Sequence, residues 1–277
     1  MAQPGSQQPA TPQRALFRLD GRVAIVTGAA GHLGRAIATG LAEAGAHVRL
    51  IGRTEASIAA LATELAGRGF AVDAATCDVT KAEQIAALLA ATGERWGHLD
   101  ILVNNAHAGR AGIMADSKKA DYLGAMEIAV AAAAEFVNAA HALLRQAAAR
   151  NGDAAVINIS SMYGMVSPDP RVYGTSKMNN PPHYGAAKAA LLQYTRYAAC
   201  HLAPDGIRVN AISPGPFPPE AVCERDPAFC GKLIDKVPMG RLGKPDDLKG
   251  AAVFLASPAS RFVTGANLPV DGGWTAW

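Results

Sequence analysis

From Leu19 onward, short runs of β-branched and other apolar residues alternate with Ala/Leu-rich stretches whose apolar positions recur at helical spacing. Six runs predict strands: residues 22–27 (RVAIVT), 47–52 (HVRLIG), 70–76 (FAVDAAT), 100–105 (DILVNN), 155–160 (AVINIS) and 207–213 (IRVNAIS). They are almost continuously apolar rather than alternating, as parallel strands covered on both faces must be. Helical spacing falls between them, at about 33–45, 55–67, 81–95, 119–149 and 184–203, and NLPVDGG at 267–273 reads as a last strand and turn. This alternation, with no break in composition, predicts an α/β fold: one doubly wound parallel sheet with helices on both faces, over residues 16–277.

Two segments depart from the alternation. Residues 162–182 form a long connection holding Pro168, Pro170, Pro181 and Pro182, and residues 214–245 open with PGPFPPE and then become charged. Long connections in a compact domain tend to be functional, and ligands of an open parallel sheet sit beyond the carboxyl ends of its strands. Both segments follow a strand, so both are expected to overhang that edge, with 214–245 as a substrate lid. Residues 1–15, rich in Pro, Gln, Ser and Ala, are expected to be a disordered leader.

Composition narrows the class. The chain of 277 residues is 50% hydrophobic with a formal net charge of +3, enough for one large core and no basic stripe for nucleic acid. The most apolar helical stretch, Ile128 to Leu144, is interrupted by Glu135, Asn138 and His141, so no membrane partner is expected and a cytoplasmic location is. Cys77, Cys200, Cys223 and Cys230 form no CxxC pair and are expected to be reduced thiols, with no metal site.

The first strand runs into VTGAAGHLGRAIATGLAEAG, which places Gly28, Gly31 and Gly34 ahead of an amphipathic helix. Glycines there let the backbone approach a pyrophosphate while the helix N-terminus supplies N–H groups, so the fold is expected to be of the Rossmann type. The second strand ends LIGRTE, with Gly52 and Arg53 where an NAD site would place a carboxylate. That favours NADP(H), while Glu55 keeps NAD(H) open.

The stretch VYGTSKMNNPPHYGAAK holds a tyrosine and a lysine four residues apart twice, as Tyr173/Lys177 and Tyr184/Lys188. Such a pair meets on one helix face only if the helix continues through both. MNNPP after Lys177 forbids that, whereas AALLQYTRYAACHLA after Lys188 carries helical spacing. Tyr184 and Lys188 are the expected acid/base pair.

The motifs TGAAGHLG, CDVT, LVNNAH, VINISS, YGAAK, IRVNAISPGPF and VDGGW, in this order, resemble the short-chain dehydrogenase/reductase family over residues 17–277. The resemblance implies an oxidoreductase that moves a hydride between NADP(H) or NAD(H) and a ketone or secondary alcohol. Gluconate 5-dehydrogenase-like and 3-oxoacyl reductase-like members are the most similar kinds, so a sugar acid or polyol is one implied substrate and a 3-oxoacyl thioester another. By carry-over, Ser161, Tyr184 and Lys188 are catalytic: Ser161 holds the substrate oxygen, Tyr184 exchanges its proton, and Lys188 favours the phenolate. Gly28, Gly31, His32, Leu33 and Gly34 would hold the pyrophosphate, and Arg53, Asp78 and Val79 the adenosine end. Asn105 would help hold the cofactor near the central strand, and Tyr184, Lys188, Pro214 and Gly215 would lie at the nicotinamide end.

The pattern departs from the family in four places. His32 and His107 stand at usual glycines, and Ala131 aligns with an asparagine that many members use in a proton relay. Ser161 and Tyr184 are also separated by a longer segment than usual, and that segment is expected to shape the substrate pocket through Asn180 and His183. The two histidines and Ala131 motivate the competing reading, a dinucleotide-binding protein with little turnover. In the lid, Arg225, Lys232 and Lys236 near Phe217 and Phe229 suit an anionic substrate or form a solvated charged helix. The apolar C-terminus VTGANLPVDGGWTAW is expected to join a homotetramer interface, or to pack as a tail on its own subunit.

Overall fold

The computed structural model describes residues 13–107, 109, 111–174, 176 and 179–277. Most of the expected leader and Lys177 of the first Tyr/Lys pair lie outside the described residues. The chain begins with a short helix α1 (Gln13–Leu16) and continues through β1 (Val23–Thr27), α2 (His32–Glu43), β2 (His47–Gly52), α3 (Glu55–Gly67), β3 (Val72–Thr76), α4 (Ala82–Trp96) and β4 (Ile101–Asn104). Helices α5 (Lys119–Met126) and α6 (Ala132–Asn151) are joined through a π turn at Glu127–Ala131. After β5 (Ala154–Ile159) come the short α7 (Pro170–Tyr173), α8 (Pro182–Leu202), β6 (Ile207–Pro214), α9 (Glu220–Arg225), α10 (Pro227–Lys236), α11 (Lys249–Ala256) and β7 (Asn267–Val270).

The strands form one seven-stranded sheet in the order β3-β2-β1-β4-β5-β6-β7, parallel throughout. Strand β1 shows why its sequence lacks alternation. Ala24 and Val26 point to a core shared with Ile37 and Leu41 of α2, Leu61 and Leu65 of α3 and Leu255 of α11. Val23 and Ile25 point to the other face, where Ile85 and Leu88 of α4, Phe136 and Leu144 of α6 and Ala198 of α8 pack. Both sides of the strand are dry, so both must be apolar.

The strand order reverses between β1 and β4, which leaves a crevice at their carboxyl ends. The opposite edge is closed by buried ion pairs. Asp153 takes Arg22 Nη2 at 2.8 Å and Arg208 Nε at 2.9 Å, and Val23 N donates to Asp100 Oδ2 at 2.8 Å.

Two expectations change. The helix over Lys119–Asn151 is, by length and composition, apolar enough to cross a membrane, because the π turn joins two helices into 33 residues. Here its Phe136, Val137, Ala140 and Leu144 are buried against the sheet. The four cysteines are not all free: Cys223 and Cys230 form a disulfide tying α9 to α10, with Cα atoms 5.5 Å apart, while Cys77 and Cys200 remain thiols. Their spacing has no motif, but the turn at Asp226 folds the two short helices back on each other and brings the sulfurs together.

Candidate active site

Two cavities meet at the carboxyl edge of the sheet. The first, of 590 Å³, is lined by Gly28, Gly31, His32, Leu33, Gly34, Arg53, Asp78, Val79, Asn105, Ser161, Tyr184, Lys188, Pro214 and Gly215. Every residue singled out in the sequence as a catalytic or cofactor contact is thus brought to one crevice, although these residues come from six strand ends and two helices. Ala30, Thr54, Ala106, His107 and Phe217 of the same motifs join them, as do Ser57 and Ile128, which no motif announces.

The glycine turn is shaped to pass close to its own helix. Gly28 has φ +62°, and a Cβ on Gly34 would lie 2.2 Å from the Gly28 carbonyl oxygen, so neither position accepts a side chain without rebuilding the loop. Asn105 pins the turn: its Nδ2 donates to the carbonyls of Thr27 at 2.9 Å and Gly28 at 3.1 Å. No side chain caps the N-terminus of α2, and the first-turn residues His32, Leu33 and Gly34 line the cavity. Uncapped amides at the positive end of a helix dipole, over a turn with no side chains, fit a pyrophosphate. At the far end Arg53, Thr54 and Ser57 line the wall, Glu55 does not, and Arg53 helps to hold the Asp78 carboxyl below its ordinary range, after the Thr80 N–H hydrogen bond.

Helix α8 starts at Pro182 and is unbroken to Leu202, so Tyr184 and Lys188 lie one turn apart on the face that meets β5. The face can approach because Gly185 has no side chain; a Cβ there would stand 2.7 Å from the Tyr163 carbonyl oxygen. Ser161, buried at the end of β5, accepts the Tyr163 N–H at 3.1 Å and also hydrogen-bonds the Tyr184 hydroxyl. It therefore caps the turn and faces the tyrosine at once.

The electrostatics differ from the expectation in one respect. Burial raises the Tyr184 phenol above its ordinary value, and the Ser161 hydrogen bond only partly opposes this. Lys188 donates from Nζ to the Ile159 carbonyl at 2.7 Å and sits 5.8 Å from the Tyr184 ring centroid. Burial pushes its ammonium down to about 8, which leaves it mostly protonated at neutral pH.

Ala131, aligned in the sequence with the relay asparagine, does not line the space beside Lys188. A small cavity under the lysine is lined by Asn104, Ala129, Ala132 and Ala133, whereas Ala131 is exposed. Ala129, Ala132, Ala133 and Phe136 share one helix face at i, i+3, i+4 and i+7, and Ala131 falls off it.

The second cavity, of 710 Å³, shares Tyr184 and His107 with the first. Its walls are Tyr173, Ser176, Asn179, Asn180, Pro181 and His183, Ala111 and Ala125, and Pro219, Val222, Arg225, Asp226 and Phe229 of the region over 214–245. His107 stands between the cavities with its ring edge-on to Tyr184, centroids 4.9 Å apart. The residue is exposed, but its ring is flanked by the cleft walls, and desolvation together with the charges of Lys188 and His183 lowers its pKa to about 4. His32, by contrast, is exposed at the mouth of the first cavity.

Tyr173 has a structural position. Its hydroxyl hydrogen-bonds Tyr163 Oη at 2.8 Å and accepts the backbone N–H of Asn180, and its ring packs with Tyr163, Leu233, Val237 and Trp274 in a third core. Trp274 is buried there, so part of the C-terminal tail packs on its own subunit, while Phe262 and Trp277 are exposed. Of the cations in residues 214–245, Lys236 pairs with Asp169 at 2.6 Å, while Arg225 makes no ion pair among the described residues and lines the second cavity.

Comparison with known proteins agrees with this architecture. A family model described as Enoyl-(Acyl carrier protein) reductase matches residues 28–275. Galactitol 2-dehydrogenase (L-tagatose-forming) of Cereibacter sphaeroides is 38% identical over 95% of this chain and 99% of its own. The rhamnolipids biosynthesis 3-oxoacyl-[acyl-carrier-protein] reductase of Pseudomonas aeruginosa is 34% identical over 93% of this chain and 98% of its own. A gluconate 5-dehydrogenase from Burkholderia cenocepacia, solved with NADP and tartrate, superposes with a TM-score of 0.84 at 35% identity, covering 95% of this chain and 99% of that one. With the parallel sheet, the glycine turn and the Ser/Tyr/Lys cluster already in place, these matches make the chain a member of the short-chain dehydrogenase/reductase family, an oxidoreductase that moves a hydride between a nicotinamide cofactor and a ketone or secondary alcohol.

Proposed function

We propose that the chain is an NADP(H)-preferring oxidoreductase of sugar acids or polyols, with Ser161, Tyr184 and Lys188 as its catalytic residues. The observation that carries this reading is the junction of the two cavities at Tyr184: one suits a dinucleotide, and the other, of small-molecule size, opens on the same hydroxyl. Gly28, Gly31, His32, Leu33 and Gly34 would hold the pyrophosphate; Asn105 positions that turn, and Asp78 and Val79 would flank the adenine. Arg53, with the hydroxyls of Thr54 and Ser57, favours a 2′-phosphate over a bare ribose, and the similar gluconate 5-dehydrogenase solved with NADP supports the same preference.

A nicotinamide bound beside Pro214 and Gly215 supplies or accepts the hydride. The chain's own residues manage the proton and the oxygen. In carbonyl reduction, Ser161 donates a hydrogen bond to the carbonyl oxygen and Tyr184 gives that oxygen its proton, recovering one from solvent afterwards. Burial keeps the phenol protonated, the state this step needs. In alcohol oxidation Tyr184 must take the proton instead, and the Lys188 ammonium is the positive charge that makes the phenolate accessible. The region over 214–245 acts as a lid on the substrate cavity, in a cytoplasmic homotetramer.

Turnover of reduced or oxidised cofactor with a panel of polyols, sugar acids and 3-oxoacyl thioesters tests the reading. The expected outcome is hydride transfer with a polyol or sugar acid and a lower KM for NADP(H) than for NAD(H). Tight cofactor binding without turnover of any substrate would overturn it in favour of a dinucleotide-binding protein.

A further inference from the structure

We infer that Asn179 and Asn180, just ahead of α8, and His183 in its first turn form a hydroxyl-reading subsite that selects polyhydroxylated substrates over acyl ones. The inference rests on the proposed oxidoreductase reading and names what the second cavity recognises. Three buried side-chain atoms there have no hydrogen-bond partner among the described residues: Asn179 Oδ1, Asn180 Oδ1 and His183 Nδ1. All three residues line the cavity that holds Tyr184. Buried polar atoms are rarely left unpaired, and a group of them on one wall of a ligand-sized space implies partners that arrive with the ligand.

The backbone that carries them is fixed. The Asn179 carbonyl accepts the Gly112 N–H at 2.9 Å, which ties the segment to the loop after β4. The Asn180 N–H is taken by the Tyr173 hydroxyl, itself bonded to Tyr163. Pro181 and Pro182 stiffen the main chain at the start of α8, and His183 enters the first turn of that helix beside Tyr184. The main chain is thus held at both asparagines, while the three side-chain atoms are covered and unpaired among the described residues and turn toward the cavity to meet a ligand. The backbone is pre-organised, and its ordering is not charged to ligand binding.

The chemistry of the three groups points to hydroxyls. A hydroxyl both donates and accepts, so it pairs with an asparagine amide in either orientation and with a histidine in either tautomer. A carboxylate or phosphate only accepts and cannot serve a bare carbonyl oxygen. An acyl chain would leave all three atoms unpaired, and sites built to hydrogen-bond a hydroxyl discriminate strongly against analogues that lack it. The segment adjoins Tyr184, so the hydroxyls it reads lie on the carbons next to the reacting one.

The test compares the full chain with the Asn179→Ala/Asn180→Ala double variant. The substrates are a hexitol, the monohydroxy alcohol hexan-2-ol, and a 3-oxoacyl thioester in the reverse direction; binding of the hexitol to the NADP complex is also measured by calorimetry. Wild type is expected to favour the hexitol, and the variant to lose about 100-fold in kcat/KM for it, while hexan-2-ol turnover and NADP affinity stay within about twofold. Equal losses on hexitol and hexan-2-ol, or a wild-type preference for hexan-2-ol or the thioester, would overturn the subsite. Hexitol binding that the variant abolishes, with no turnover of any substrate by wild type, would retain the subsite and remove the oxidoreductase reading instead.

Discussion

The two cavities that meet at Tyr184 are of similar size, 590 and 710 Å³, and are built in opposite ways. The first is assembled from strand ends and the turns directly after them: Gly28 after β1, Arg53 after β2, Asp78 after β3, Asn105 after β4, Ser161 after β5 and Pro214 within β6. The sheet fixes their relative positions, so their geometry is set once the strands pair. The second is assembled from connections, held by contacts between segments far apart in the chain, such as Gly112 N to Asn179 O and Lys236 to Asp169. The comparison implies that cofactor binding and substrate choice can be broken separately.

The largest expected effect falls on the residue common to both. Tyr184→Phe removes the proton donor and acceptor while keeping the ring and its packing. It should lower kcat by about 100- to 10,000-fold, with cofactor affinity measured by fluorescence titration unchanged. A kcat within a few-fold of wild type would remove Tyr184 from the chemistry. On the cofactor side alone, Arg53→Ala should weaken NADP by about 10- to 100-fold, the worth of a hydrogen bond to a charged group. Affinity for NAD, which lacks the phosphate, should hold, and equal weakening of both cofactors would show that Arg53 acts on the loop instead.

The same contrast explains what could be read from sequence. Each strand-end residue sits beside an apolar run, so strand position predicts its placement; Gly28, Gly31 and Gly34 were legible for that reason, as was Tyr184 from the helix it opens. The substrate wall offered no such frame. That the 162–182 segment would face the active site was legible from its length and its place after a strand, and Asn180 and His183 were readable as polar residues there. That Asn179 would stand beside them was not, because the contact fixing it comes from Gly112, far along the chain. The disulfide of Cys223 and Cys230 was hidden in the same way, since it depends on two short helices folding back at Asp226. Ala131 ends the π turn and lies off the face that lines the cavity under Lys188, which residue counting did not show.

On the substrate side, Tyr173→Phe deletes the hydroxyl that joins Tyr163 to the Asn180 N–H and leaves the aromatic packing in place. The expected result is a rise in substrate KM of about 5- to 10-fold, with kcat and NADP affinity nearly unchanged. A fall in kcat comparable to that of Tyr184→Phe would mean that the first tyrosine, not only the second, takes part in proton transfer.

His107 belongs to both cavities, and its titration sets a finer test of their coupling. Its pKa falls from an ordinary 6.5 to about 4 because the cleft desolvates the ring and Lys188 and His183 add like charge. A depressed histidine favours the neutral form in the folded chain, so the unfolded chain binds the extra proton first as pH falls. Between about 6.5 and 4 the unfolded state therefore holds more protons, and stability drops with decreasing pH. Above 6.5 both states are neutral and the contribution is constant. In His107→Gln this part of the acid limb should disappear. The difference between wild-type and variant urea midpoints should then slope across that window and be flat above it. Because the ring is partly open to water, the slope should be shallow and sensitive to salt. A flat difference curve would mean that the His107 ring is fully solvated, and that the wall between the two cavities is open there.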